Sequence, residues 1–150
     1  QDAMLLRSKD KKFDWTKMKK VFGLINEEVR IDQPRDISYV FNGLAPLSVK
    51  FIENFISKEG FKDKEMQEKL KLLPGAFYAP PNEHEFFRPG KGPDSMRKKK
   101  IMVYFIGGVT YAEISAIRFL NKLYPNMKFI IATTSIINGN KCIEQMRTSL

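Results

Sequence analysis

The residues best placed to do chemistry are the adjacent glycines Gly107 and Gly108, with Thr110 and Glu113 just behind them. They lie between an apolar run and a helical pattern. Glycines at such a junction let a backbone approach a phosphate, and the free amides of a helix start attract anions. The pattern is incomplete, however. The dinucleotide fingerprint needs a third spaced glycine, and the triphosphate loop needs G-K-[ST]; neither is present. Thr110 and Glu113 have the spacing of a capping box, in which hydroxyl and carboxylate satisfy each other's exposed backbone amides. Glu113 would then bring its own negative charge to the place where a phosphate would sit. Gly107, Gly108, Thr110 and Glu113 therefore read first as a structural motif, a tight turn feeding a capped helix.

The other reactive side chains do not assemble into a site. Cys142 has Lys141 beside it and lies near a helix start, a setting that can lower a thiol pKa, but no histidine is near it in sequence. A half-buried structural cysteine is the expectation. His84, the one histidine, lies between Glu83 and Glu85 in a proline-rich stretch and reads as a solvated loop residue. One histidine excludes a His-based metal cluster. The carboxylates, such as Glu65 and Glu68, sit on helix faces next to Lys64, Lys69 and Lys71. No catalytic residue, metal ligand or cofactor is expected. Arg97-Lys98-Lys99-Lys100 is a basic run between a Gly/Pro loop and an apolar segment. It reads as a solvated flank of a strand, and as the candidate contact for an acidic protein or an anionic membrane surface. Nucleic-acid recognition would call for interleaved aromatics or a reading helix.

The elements that must position these residues follow from periodicity. Asp14 is placed to cap a helix, and Trp15, Met18, Phe22, Ile25 and Val29 make one apolar stripe of about four turns, ended by Pro34. Asn42-Gly43 signals a turn, and Pro46 can open a second helix with Leu47, Phe51, Ile52, Phe55 and Ile56 inward and Gly60 as its left-handed stop. A third helix is expected from Asp63 to Leu72, with Met66, Leu70 and Leu73 apolar. Residues 75–100 hold four prolines and several glycines. Phe77, Tyr78, Phe86 and Phe87 should drape over the body, and residues 88–100 should be mobile. Residues 101–106 and 129–134 read as strands buried on both faces, with a helix through Ile114, Ile117, Phe119, Leu120 and Leu123 between them. This is a parallel βαβ unit, and the fold class is α/β. A last helix follows Asn138-Gly139, with Ile143 and Met146 inward. Two parallel strands do not make a stable sheet by themselves, and no other segment reads as a buried strand. The remaining strands are expected from sequence outside these residues.

Composition agrees. The chain has 150 residues, 43% of them hydrophobic, and a net charge of +9. Residues 88–100 carry six basic residues against one acid, so more than half of the excess sits in one short stretch. One cysteine excludes an internal disulfide framework. The longest apolar run is far shorter than the roughly 20 residues of a membrane-spanning helix. The opening Gln1-Asp2-Ala3 has no initiator Met, basic n-region or apolar signal core, and a piece of a longer chain is expected.

Several blocks carry a resemblance. Asp36-Ile37-Ser38-Tyr39-Val40-Phe41-Asn42-Gly43-Leu44-Ala45-Pro46-Leu47-Ser48-Val49 resembles a characteristic stretch of the SM (Sec/Munc-type) family, and more narrowly of its vacuolar protein sorting branch, the SM subunit of the HOPS and CORVET tethers. Leu72-Leu73-Pro74-Gly75 is similar to a second block. Phe105-Ile106-Gly107-Gly108-Val109-Thr110-Tyr111-Ala112-Glu113-Ile114 is similar to the family's G-G-V-T-[YF]-x-E signature, and Ile131-Ala132-Thr133-Thr134 with Asn138-Gly139 to the end. The loop at 77–100 departs from the pattern and is more basic. The resemblance implies that residues 1–37 finish a helical third domain and that 38–150 form the second half of an α/β second domain, with a long basic loop at about 75–100. It implies a non-enzymatic scaffold for SNARE assembly in vesicle docking and fusion. Its expected partners are a vacuolar protein sorting sixteen-like tether subunit and, through the full-length chain, SNARE proteins. Its expected place is cytoplasmic, peripheral on endosome and vacuole/lysosome membranes through the complex. Two other classes share these residues: a phosphate- or nucleotide-binding α/β enzyme fragment using Gly107-Gly108, and a basic nucleic-acid-binding module using residues 97–100.

Overall fold

The computed structural model describes residues 14–74, 77–78, 87 and 98–148. Helix α1 spans Trp15–Phe22, with Asp14 accepting from the Lys17 amide as expected of its cap. The expected four turns are cut short. Gly23 enters the left-handed region at φ 60, and the amides of Gly23 and Leu24 close on Lys20 and Lys19. A glycine cap ends the helix eleven residues before Pro34. Ile25 is half exposed and forms an isolated antiparallel bridge with Leu44 instead. Gly43 makes that approach possible. Its φ is 102, and a Cβ there would stand 2.6 Å from the Asn26 carbonyl oxygen.

A short 3-10 helix, Ile37–Phe41, follows, capped by Asp36. Helix α2 is Leu47–Ser57 and α3 is Lys64–Leu70, the latter capped by Asp63 and two residues shorter than expected. Beyond α2, Glu59 and Gly60 both take positive φ, and the Gly60 amide returns to the Phe55 carbonyl. The face of α2 is also rotated from the expected stripe. Val49, Lys50 and Ile56 are buried, whereas Leu47, Phe51, Ile52 and Phe55 are only partly so. Phe55 and Phe51 instead meet Phe61, and Phe77 and Phe87 pack on Phe61 and Phe55. These two contacts match the expected draping; Tyr78 is exposed, and Phe86 lies outside the described residues.

Strand β1, Lys99–Phe105, pairs in parallel with β3, Met127–Thr133. Helix α4, Tyr111–Leu123, connects them. Lys99 and Lys100 are therefore strand residues, not part of a mobile run. A second parallel pair, β2 (Val109–Thr110) with β4 (Ile136–Ile137), continues the ribbon. The first strand spends residues 106–108 between the two pairings, and the second only Thr134 and Ser135. The extra residue is absorbed at Gly107 and Gly108, both at positive φ, as in a bulge. Helix α5 is Gly139–Thr148. Ile143 is exposed where an inward position was expected, and α5 therefore seals no core among the described residues.

The core lies on one side of the ribbon. Ala116, Ile117 and Leu120 of α4 meet Phe129, Ile37, Ala45, Val49 and Ile56, with Ile101, Val103 and Phe105 alongside. Met18, Phe22 and Leu24 pack separately on Leu47, Phe51 and Leu73. The other face of the ribbon is bare. Burial alternates along β1, and Met102 and Tyr104 are 70% and 56% exposed. The expectation of strands buried on both faces is thus corrected: one helix layer covers one face.

Lys50 sits in this core with a side chain only 10% exposed, bonded to Asp36 at 2.8 Å and Glu53 at 2.9 Å. Burial pushes the Asp36 carboxyl up, but the hydrogen bonds from Lys50 and Ser38 and the Lys50 charge outweigh it and hold the group below its ordinary value. Burial pushes Lys50 down, and its two carboxylate partners outweigh that and raise it. Lys50→Met would leave two carboxylates without their cation. We expect a loss of about 2 kcal/mol, solvent at Asp36 screening part of the full penalty, read as a lower urea midpoint at unchanged slope. A depressed carboxyl stabilises fully above its unfolded value of 3.8 and ceases to do so as pH falls through the lower folded value. Urea midpoints of the parent chain should therefore drop below about pH 4, and that part of the drop should be absent in Lys50→Met.

Candidate functional site

The four motif residues come together as the spacing predicts. Thr110 caps α4, its hydroxyl accepting from the Glu113 amide at 3.2 Å, while Glu113 accepts from the Thr110 amide at 2.8 Å. The Thr110 hydroxyl also lies 2.8 Å from the same carboxylate oxygen. The second oxygen of Glu113 is taken as well: it accepts from the Ser48 hydroxyl in the first turn of α2. One side chain thus closes the start of α4 and ties it to α2. Periodicity did not single out Ser48; the only sequence signal was its place inside the Asp36–Val49 block.

The glycines position this device. Gly107 donates its amide to the Thr134 hydroxyl at 3.0 Å. A Cβ on Gly108, at φ 130, would lie 2.5 Å from two side-chain atoms of Ile137. This tight passage delivers Val109, fully buried, to the core and Thr110 to the helix start. No phosphate cradle results. The carboxylate of Glu113 fills the position an anion would need, with the amide of Thr110 already bonded to it. The glycines serve close packing of β2 against β4.

The remaining candidates do not join them. Of the basic run, Lys98 and Lys100 are exposed, Lys99 is half-buried in β1, and Arg97 lies outside the described residues, as does His84. Cys142 is exposed and free, not half-buried as expected. Glu65 meets Lys58 and Lys69, and Glu68 meets Lys71, the solvated pairing expected of them. Hydrogen bonds from Lys58 and Lys69 hold the Glu65 carboxyl at about 2. Among the described residues no group of three His, Cys, Asp or Glu could hold a metal, and no helix is long and apolar enough to cross a membrane. A shallow groove of about 800 Å³ is lined by Ile25, Val29, Ile31, Tyr39, Val40 and Leu44. Glu27 is the one ionisable group on its wall, so the groove offers surface and no converging acid and base.

Comparison with known proteins adds identity to this geometry. The profile of the Sec1 family matches residues 1–145. The chain is 36% identical over its whole length to the vacuolar protein-sorting-associated protein 33 homolog of Arabidopsis thaliana, of which it covers 26%. It is 35% identical to vacuolar protein sorting-associated protein 33A of Rattus norvegicus, with 86% of the chain and 21% of that protein aligned. It is 28% identical to the protein 33 of Schizosaccharomyces pombe over 95% of the chain and 25% of that protein. The chain thus spans about a quarter of the length of these relatives.

The bond across the two motif blocks can be measured. Ser48→Ala and Glu113→Ala should each destabilise, the second more because it also removes the helix cap, by about 1–2 kcal/mol. In a double-mutant cycle on urea unfolding, the pair should couple by about 1 kcal/mol. Strict additivity would mean that the two side chains do not meet.

Proposed function

Because the chain belongs to the Sec1 family, we propose that it is part of a non-enzymatic scaffold that promotes SNARE assembly and joins a tether complex in vesicle docking and fusion. In this reading residues 1–37 finish a helical third domain and 38–150 supply the second half of an α/β second domain. Its partners are a vacuolar protein sorting sixteen-like tether subunit and, through the longer chain, SNARE proteins. Its place is the cytoplasmic face of endosome and vacuole/lysosome membranes, reached through the HOPS or CORVET complex.

The observation that carries this reading is what Glu113 does. The most recognisable family segment is fully engaged in structural bonds, from Gly107 through Thr110 to Ser48 of the other block. Such a signature builds a surface and leaves no side chain free for a reaction. The exposed apolar side chains Ile25, Ile31 and Leu44 around the shallow groove fit protein contact in kind.

Two measurements test it. Deleting residues 98–148 from the polypeptide in its own cells should abolish co-purification with the sixteen-like subunit, whereas Glu113→Gln should weaken it only as far as it lowers the protein's abundance. Retained association after the deletion would overturn the reading. In the second, millimolar nucleotide or inorganic phosphate should leave the melting temperature of the 150-residue chain unchanged. A saturable rise would instead favour the phosphate-binding alternative.

A further inference from the structure

The bare face of the β1/β3 ribbon has a chemical order along it. Its three rungs, read from the amino ends of the strands, are Lys100 beside Lys128, Met102 beside Ile130, and Tyr104 beside Ala132. The first rung is a pair of exposed ammoniums on adjacent strands, about 5 Å apart at the backbone. Neither has an ion-pair partner among the described residues. The next two are apolar, with Met102 70%, Tyr104 56% and Ile130 41% exposed. Parallel strands are stable when both faces are covered, and their covering helices run antiparallel to them. Helix α4 does this on the opposite face. A helix laid likewise on the bare face would put its C-terminal end over the first rung. That end carries unbonded carbonyls and a partial negative charge, which two lysines complement.

We propose that this face is covered by an amphipathic helix of the same longer polypeptide, with its apolar side on Met102, Tyr104 and Ile130 and its C-terminal carbonyls and adjoining carboxylates on Lys100 and Lys128. The proposal rests on the reading of residues 38–150 as half of an α/β domain. It adds which rungs are apolar, which end is anionic, and the direction of the helix. It also narrows the partner role read in Arg97, Lys98, Lys99 and Lys100 to Lys100, and adds Lys128, which composition did not mark. The relatives have room for such a helix, since the aligned region is 26% of the Arabidopsis protein. A second copy stacked with its strands parallel would set lysine pair against lysine pair, so like charge disfavours that occupant.

The test uses the endogenous polypeptide purified from its own cells, with the 150-residue chain as the open reference. A carbodiimide that couples ammonium to carboxylate without a spacer is applied, and lysine acetylation rates are read by mass spectrometry. Lys100 and Lys128 should acetylate on the order of tenfold more slowly in the endogenous polypeptide than in the reference, while exposed Lys71 is unchanged. Both should cross-link to Asp or Glu at the C-terminal end of one stretch with helical apolar spacing. The variant Lys100→Glu/Lys128→Glu should lose those cross-links and expose Met102 to oxidation. Equal acetylation in the two proteins would overturn the proposal. So would cross-links joining two isotopically distinct copies, or protection that arises only on phosphatidylserine vesicles. Intact tether association with freely acetylated lysines would defeat this inference alone. Lost association with the cross-links intact would defeat the scaffolding reading alone.

Discussion

The carboxylate of Glu113 is the group on which the arrangement of helices depends. Its two oxygens satisfy the exposed backbone amide at the start of α4 and the hydroxyl of Ser48, which lies 65 residues away in sequence. A capping box by itself is local and sets only where a helix begins. Extending the same carboxylate to a second helix makes a local device into a tertiary one. The 3-10 helix at Ile37–Phe41 then packs on α4, with Tyr39 and Phe119 ring to ring at 5.6 Å. Two segments that look like separate motifs in sequence are one physical assembly, which gives a reason for their being read together.

Lys50 makes a complementary tie. It joins the cap of the 3-10 helix, Asp36, to Glu53 on α2. A buried cation between two acids adds little net stability over an apolar residue of the same shape, yet it is costly to break. Its value here is geometric: the chain can enter α2 in only one way if both acids are to be met. Asn121 plays a similar part at the other end of the unit, its side chain accepting from the Phe129 amide and bonding back to Ile117. Polar side chains thus fix the angles between elements that the apolar core, being non-directional, leaves loose.

Much of this was legible in sequence where the signal was local and chemical. The caps at Asp14, Asp63 and Thr110, the parallel strand pair and the helix between them stand as read. The misreadings share a cause: apolar spacing says that a residue prefers cover and does not say whether cover exists. Ile25 and Val29 continue the spacing of α1, but Gly23 had already turned the chain. Met102 and Ile130 read as buried because the strands are apolar throughout, and in this chain no layer lies on them. Ile143 failed in the same way. Ser48 and Lys50 escaped notice because their roles depend on partners far along the chain, which periodicity cannot see.

The uneven spacing at Gly107 and Gly108 carries a consequence for the whole unit. Side chains alternate between faces, so a strand that advances by three residues while its neighbour advances by two changes which parity faces inward. Before the break, odd-numbered residues such as Ile101 and Val103 point to the core, and after it Val109 does so with Thr110 released to start α4. A chain one glycine shorter here would fall into uninterrupted step with its neighbour, and its valine and threonine would trade places between oil and water. The doublet is thus a phase shifter, and its length matters to the fold as much as its flexibility.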